Sequence, residues 1–98
     1  MSGAERESNW ALLSNHGKVL VCLARDADIR VSDIARQVEI KERAVQRILA
    51  ELRDEGLVSS ARSGRRNSYR INRRWRMPWP EAPVGKLLDA FQERPLRN

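Results

Sequence analysis

Seven arginines and no acidic residue occupy positions 56–80 of this 98-residue chain: Arg62, Arg65, Arg66, Arg70, Arg73, Arg74 and Arg76. A guanidinium is planar and permanently charged, and its forked donors match the oxygens of phosphate or carboxylate. The chain as a whole carries +6, yet outside this segment 12 basic residues stand against 13 acidic ones. All the excess positive charge therefore lies in one quarter of the length, which implies a polyanion such as DNA or RNA rather than a merely solvated face. A second set of donors lies upstream. Arg43 and Arg47 are one helical turn apart, and each can pair with two guanine acceptors or hold a phosphate. Gln46 has the matching geometry for adenine, and Glu42 either accepts from cytosine or stabilises the start of a helix.

Other chemistry is excluded by what the chain lacks. It has one cysteine and one histidine, so no internal disulfide, cysteine-cluster metal site or histidine-based nucleophile can be assembled. No glycine loop of the phosphate-cradling kind is present. An enzyme is not expected, and neither is a cofactor or a metal. Cys22 falls within an apolar helix, where a buried structural thiol is expected instead of a redox switch. His16 is expected on that helix's apolar face, packed or capping. No apolar run approaches the roughly 20 residues that span a bilayer. The opening MSGAERES lacks a signal-peptide pattern and reads as a solvated tail, which suggests a cytoplasmic, nucleoid-associated protein with no membrane partner.

The donors must be positioned by helices and strands, and the periodicity supplies both. Trp10 and Leu13 suggest a short apolar turn. Ser14 or Asn15 then caps a first helix whose buried face is His16, Val19, Leu20 and Leu23, ending near Arg25. After the turn Asp26–Asp28, Ser32 is the expected N-cap of a short second helix, with Asp33 in its first turn and Ile34, Ala35 and Val38 as its apolar side. Val38 to Ile40 separate it from a third helix at about 41–55, with Val45, Ile48, Leu49 and Leu52 at helical spacing and Gly56 at its C-terminus. The period then changes. Residues 57–61 and 68–72 read as two strands, joined by the polar loop RSGRRN with Gly64 at its turn. Arg62, Arg65 and Arg66 are expected to project from that tip toward phosphates or a narrow minor groove, with Arg70 as a phosphate partner. The stretch MPWPEAP reads as irregular, with Trp75 and Trp79 packed on the domain or a partner subunit. A last helix carries Val84, Leu87, Leu88 and Phe91, either as a dimerisation element or as a lid on the first helix.

Two helices joined by a three-residue turn and followed by a strand–loop–strand unit describe a winged helix-turn-helix. The phrases DIARQV, ERAVQRIL, GLV and GRRNSYRI resemble the winged helix-turn-helix regulators of bacteria and archaea, of the MarR/ArsR-like kind, over about residues 9–74. The resemblance implies transcriptional control, usually as a homodimer on an inverted repeat. It also implies that Lys41 to Arg47 enter the groove while the loop around Arg65 touches the flanking backbone. Relatives often place Ser or Thr at the start of the third helix where this chain has Lys41, which cannot cap and opposes the helix dipole; a phosphate contact is its alternative use.

The expected fold is therefore mainly α with a small antiparallel β hairpin: a tail at 1–8, a winged helix-turn-helix at 9–74, and a Pro/Trp-rich segment with a C-terminal helix at 75–98. The expected activity is sequence-specific binding of double-stranded DNA as a transcriptional repressor. The contact set comprises Ser32, Lys41, Glu42, Arg43, Gln46, Arg47, Arg62, Arg65, Arg66 and Arg70. The alternative is a protein-binding adaptor whose arginines meet an acidic partner. RNA is a third reading, weakened by the absence of an aromatic platform for stacking bases. No residue identifies a small-molecule effector.

Overall fold

Ser14 opens the first helix by accepting a hydrogen bond at its hydroxyl from the Gly17 amide, 3.2 Å away, so one of the unpaired amides of the first turn is satisfied. The computed structural model describes residues 11–92; the expected tail, Trp10 and residues 93–98 lie outside that range. Helix α1 runs Asn15–Arg25, α2 Val31–Val38 and α3 Glu42–Asp54. Strands β1, Val58–Ser63, and β2, Arg66–Ile71, form an antiparallel hairpin in the register Val58↔Ile71 to Ser63↔Arg66. A second hairpin pairs β3, Arg76–Pro78, with β4, Glu81–Pro83, and leads directly into α4, Val84–Asp89. The mainly helical fold with its small hairpin is the one expected from the sequence.

The core is shared by all four of these helices and the first hairpin. Val19, Leu20 and Leu23 of α1 meet Ile34 of α2 and the expected row Val45, Ile48, Leu49 and Leu52 of α3. Leu57, Val58 and Tyr69 close it from the sheet side, and Val84 and Leu88 of α4 complete it. No charged or polar residue is buried among the described residues, so the hydrophobic term works there without a desolvation cost.

Chain reversals have identifiable causes. Helix α2 ends on Glu39, which takes the left-handed conformation at φ 67°, uncommon for a residue other than glycine. Its amide and that of Ile40 both reach the Ala35 carbonyl, at 2.7 and 3.1 Å, so the tight turn into α3 is paid in backbone hydrogen bonds. Helix α3 ends on Gly56 at φ 78°. Gly56 donates to the Arg53 carbonyl and Leu57 to the Leu52 carbonyl, each at 3.0 Å, the paired bonds of a Schellman termination.

Several expectations need correction. Ser32 does not cap α2. The helix starts earlier, with Arg30 in extended conformation at the cap position and no side-chain cap, and Ser32 sits exposed within the first turn. His16 is exposed rather than part of the apolar face of α1. The loop RSGRRN shrinks to Gly64-Arg65, because Ser63 already pairs with Arg66. The stretch MPWPEAP is an ordered hairpin. Pro78 and Pro83 stand in three-residue strands with no further strand beside them, where missing amides are tolerated, and Pro80 lies in the turn between them. Trp75 is half-buried and donates its indole N–H to the Glu55 carbonyl at 3.2 Å, but Trp79, at the hairpin tip, is 86% exposed and does not pack on the domain.

Candidate nucleic-acid interface

Helix α3 buries one face, and the residues of the opposite face stand out from the domain. With Val45, Ile48, Leu49 and Leu52 buried, the helical period carries Arg43 and Arg47 to the far side and Gln46 to its flank. Glu42, Arg43, Gln46 and Arg47 are all exposed. Lys41 occupies the N-cap without a capping hydrogen bond, so its ammonium is free to turn outward. Among the described residues Arg43 has no ion-pair partner. Arg47 has a loose one: its Nε lies 3.8 Å from Oε2 of Glu51, one turn along. The other carboxylate oxygen of Glu51 accepts from the imidazole of His16 at 2.6 Å, so α1 reaches across to the side of α3. Such exposed pairs are worth only a few tenths of a kcal/mol, roughly 0.2–1, and Arg47 is readily released to a stronger partner.

The β1–β2 hairpin forms the second part of the site. Its register divides the arginines between two faces. Arg62 lies on the face of Val58 and Tyr69, paired across the ladder with Asn67, and its Nε donates back to the Gly64 carbonyl at 3.2 Å. Arg66 and Arg70 lie on the opposite, solvent face. Arg65 occupies the turn itself beside Gly64, whose φ of 64° suits glycine. The three loop arginines therefore do not project as one cluster. What brings Arg65 and Arg66 together with the helices is a groove of about 360 Å³ between the hairpin tip and the start of α2, lined by Arg30, Val31, Arg65, Arg66 and Asn67. Arg30 was not singled out in the sequence, although it immediately precedes the first turn of α2. Ser32 lies on that turn but does not line the groove.

The hairpin is tied to the helices at three points. The Tyr69 amide donates to the Ala27 carbonyl at 2.8 Å, in the link between α1 and α2, and Asn72 donates to Leu57 at 2.8 Å. The Asn72 side chain also reaches the Gly56 carbonyl at 3.5 Å. Cys22 stays out of this surface. It is buried, 3.6 Å from Oε1 of Gln37, and burial pushes its thiol pKa up, with a smaller opposing pull from Arg25. Among the described residues no three His, Cys, Asp or Glu side chains gather as a metal site, and no helix is long and apolar enough to cross a membrane.

Helix, three-residue turn, exposed second helix and hairpin now stand in the order of a known module. Residues 12–59 match the family model described as winged helix-turn-helix DNA-binding. The fold of this chain is that of a winged helix-turn-helix. In solved structures the domain is similar to ZitR of Lactococcus lactis in complex with DNA, at 25% identity over 67% of this chain and 47% of that one, TM-score 0.55. A structure of ZitR described as a zinc-responsive MarR family member is 29% identical over the same shares, TM-score 0.52. A mutant form of ZitR covers 86% of this chain and 53% of its own at 21% identity, TM-score 0.60, and bears on the fold alone. The chain thus spans about half the length of these structures. No curated protein matches it. In this domain α3 stands where the second helix of the helix-turn-helix does, and β1–β2 is the wing.

Proposed function

We propose that this winged helix-turn-helix protein is a transcriptional regulator that binds double-stranded DNA in a sequence-specific manner, without catalysis. The observation that carries the reading is the outward side of α3, where Arg43 and Arg47 are exposed opposite the core and Gln46 is exposed on the flank, beside a wing bearing Arg65 and Arg66. A helix of this kind fits the major groove, and its N-terminal side chains reach base edges. Arg43, Gln46 and Arg47 then choose sequence. Lys41, Arg30, Arg65 and Arg66 hold phosphates or the adjacent minor groove, and Ser32 and Arg70 add backbone contacts. Arg62 turns back on its own hairpin and contributes charge, while Glu42 stabilises the start of α3. A homodimer would set two such helices roughly 34–36 Å apart, one turn of the duplex. Repression by occupancy in the cytoplasm is the simplest outcome for a chain of this kind.

Fluorescence anisotropy with the duplex upstream of the protein's own coding sequence, against a scrambled duplex and across a salt series, tests this reading. Tighter binding to the native fragment with a steep salt slope is expected, because each neutralised phosphate releases counterions. Absence of binding to either duplex at low salt would overturn it and favour an acidic protein partner for the arginines.

A further inference from the structure

Glu51 is out of place on the side of α3 that the reading above turns toward DNA. It continues the row of Arg43 and Arg47 at helical spacing, and its side chain is half exposed. An acid there repels a polyanion, so it weakens binding unless it acts on the cations beside it. Two contacts define what it acts on. Its Oε1 accepts from Nε2 of His16, on α1, at 2.6 Å, and its Oε2 lies 3.8 Å from Nε of Arg47. The order of the second pair is informative. With the cation N-terminal to the acid, an i, i+4 pair gains less on an isolated helix than the reverse order does. Little within α3 itself therefore directs Glu51 at Arg47, and His16 supplies the direction from another helix.

A guanidinium has three nitrogens, and the one that Glu51 faces is the stem nitrogen. The two terminal nitrogens of Arg47 have no hydrogen-bond or ion-pair partner among the described residues. Those are the donors whose fork matches O6 and N7 of a guanine. A carboxylate beside Nε leaves the reading end of the fork open while limiting how its plane can swing. At 3.8 Å between exposed groups the contact is too weak to withhold Arg47 from a base; its effect is on direction. Ordering a long side chain before the base arrives lowers the entropy lost on binding. We propose that Glu51, oriented by His16, is a positioning residue that aims Arg47 at its base, so that His16 and Glu51 set specificity without touching DNA. The inference rests on the DNA-binding reading above. In it the acid lowers affinity for every duplex and raises preference for the right one.

The test is competition anisotropy with the full chain on the native upstream duplex and its scrambled counterpart, each variant first shown folded by circular dichroism. The readout is the ratio of the two affinities. Glu51→Gln should lower that ratio about two- to fivefold, the factor that an exposed ion pair can supply. Its binding to the scrambled duplex should be unchanged or tighter, because a negative charge has gone. His16→Ala should lower the ratio in the same direction, and His16→Gln, which keeps a donor close to the position of Nε2, should restore it. In an Arg47→Lys background, which keeps the charge and loses the fork, neither substitution should move the ratio further. A Glu51→Gln ratio above the parent's overturns the inference, since the acid then only competes with DNA for Arg47. Equal weakening on both duplexes also overturns it and makes the His16–Glu51 contact a structural tie alone. A parent that binds both duplexes equally removes the sequence-specific reading itself, whereas a normal parent ratio with unmoved variants removes the positioning role alone.

Discussion

Arg47 and Arg66 carry the same charge, but their surroundings give them different work. Arg47 lies on a helix whose outward face also bears Arg43 and Gln46, and it shares Glu51 with His16. Arg66 stands at the start of β2, beside a turn, over a groove with no fixed side-chain partner. Replacing Arg47 by alanine should remove preference between native and scrambled duplex, with about 1–3 kcal/mol of discrimination lost. Arg66→Ala should weaken both duplexes about equally. Competition anisotropy reads both, and a parallel loss in the two variants would end the assignment of base reading to α3. Cys22 makes a prediction of another kind. Burial raises its folded pKa, so the unfolded chain ionises first as the medium turns alkaline. Stability is complete below the unfolded thiol value, about 8.5, and declines as pH rises from there toward the folded value. Melting scans from neutral to alkaline pH should show a decline that is shallower in Cys22→Ala.

At the scale of elements, the helices were legible and the joints between them were not. The rows Val19–Leu23 and Val45–Leu52 repeat with the helical period, and no tertiary contact had to overrule them. Ser32 misled because a capping preference is worth only about 1 kcal/mol, and the half-buried Val31 at the first position of α2 goes with an earlier start. The hairpin Arg76–Pro83 was illegible because prolines signal a break in any one-dimensional reading. In space Pro78 and Pro83 fall on short strands with no further neighbour, and Pro80 falls in the turn that joins them. Arg30 escaped notice because the groove it lines is built from segments 35 residues apart in sequence, Arg30 and Arg65. The close approach at the head of α4 also leaves no trace in the sequence. A Cβ on Gly85 would lie 3.0 Å from both the Arg73 carbonyl oxygen and the Arg73 Cβ, and the Gly85 amide donates to that same carbonyl at 2.9 Å. Gly85→Ala should therefore destabilise by about 1–3 kcal/mol, seen as a lower urea midpoint with unchanged slope.

For the molecule as a whole, α4 joins the core of the winged domain. Val84 and Leu88 are buried with the α1 and α3 side chains. The Val84 amide bonds to the Trp75 carbonyl at 2.8 Å, and Arg73 pairs with Asp89. Folding should accordingly be a single transition that includes the C-terminal segment. Leu88→Ala should lower stability by about 2–5 kcal/mol, with intrinsic tryptophan fluorescence and helical circular dichroism shifting together. Two separated transitions would mean that the segment is an independent appendage. Leu87, 40% exposed, lies on the outer side of the same helix and leaves that side available to a second subunit.

Only Gly56 separates the C-cap of α3 from Leu57, and Leu57 both closes the helix onto Leu52 and accepts from Asn72 at the foot of the wing. Helix α3 and the wing thus share a joint of a single residue, and under the proposed DNA-binding reading they would act as the two jaws of a caliper. For a duplex held between them, the distance from the bases under Arg47 to the phosphates under Arg65 is set by the protein. Under that reading spacing would become part of the message: a target with the right bases, but with its groove width or helical phase displaced, would meet one jaw and miss the other.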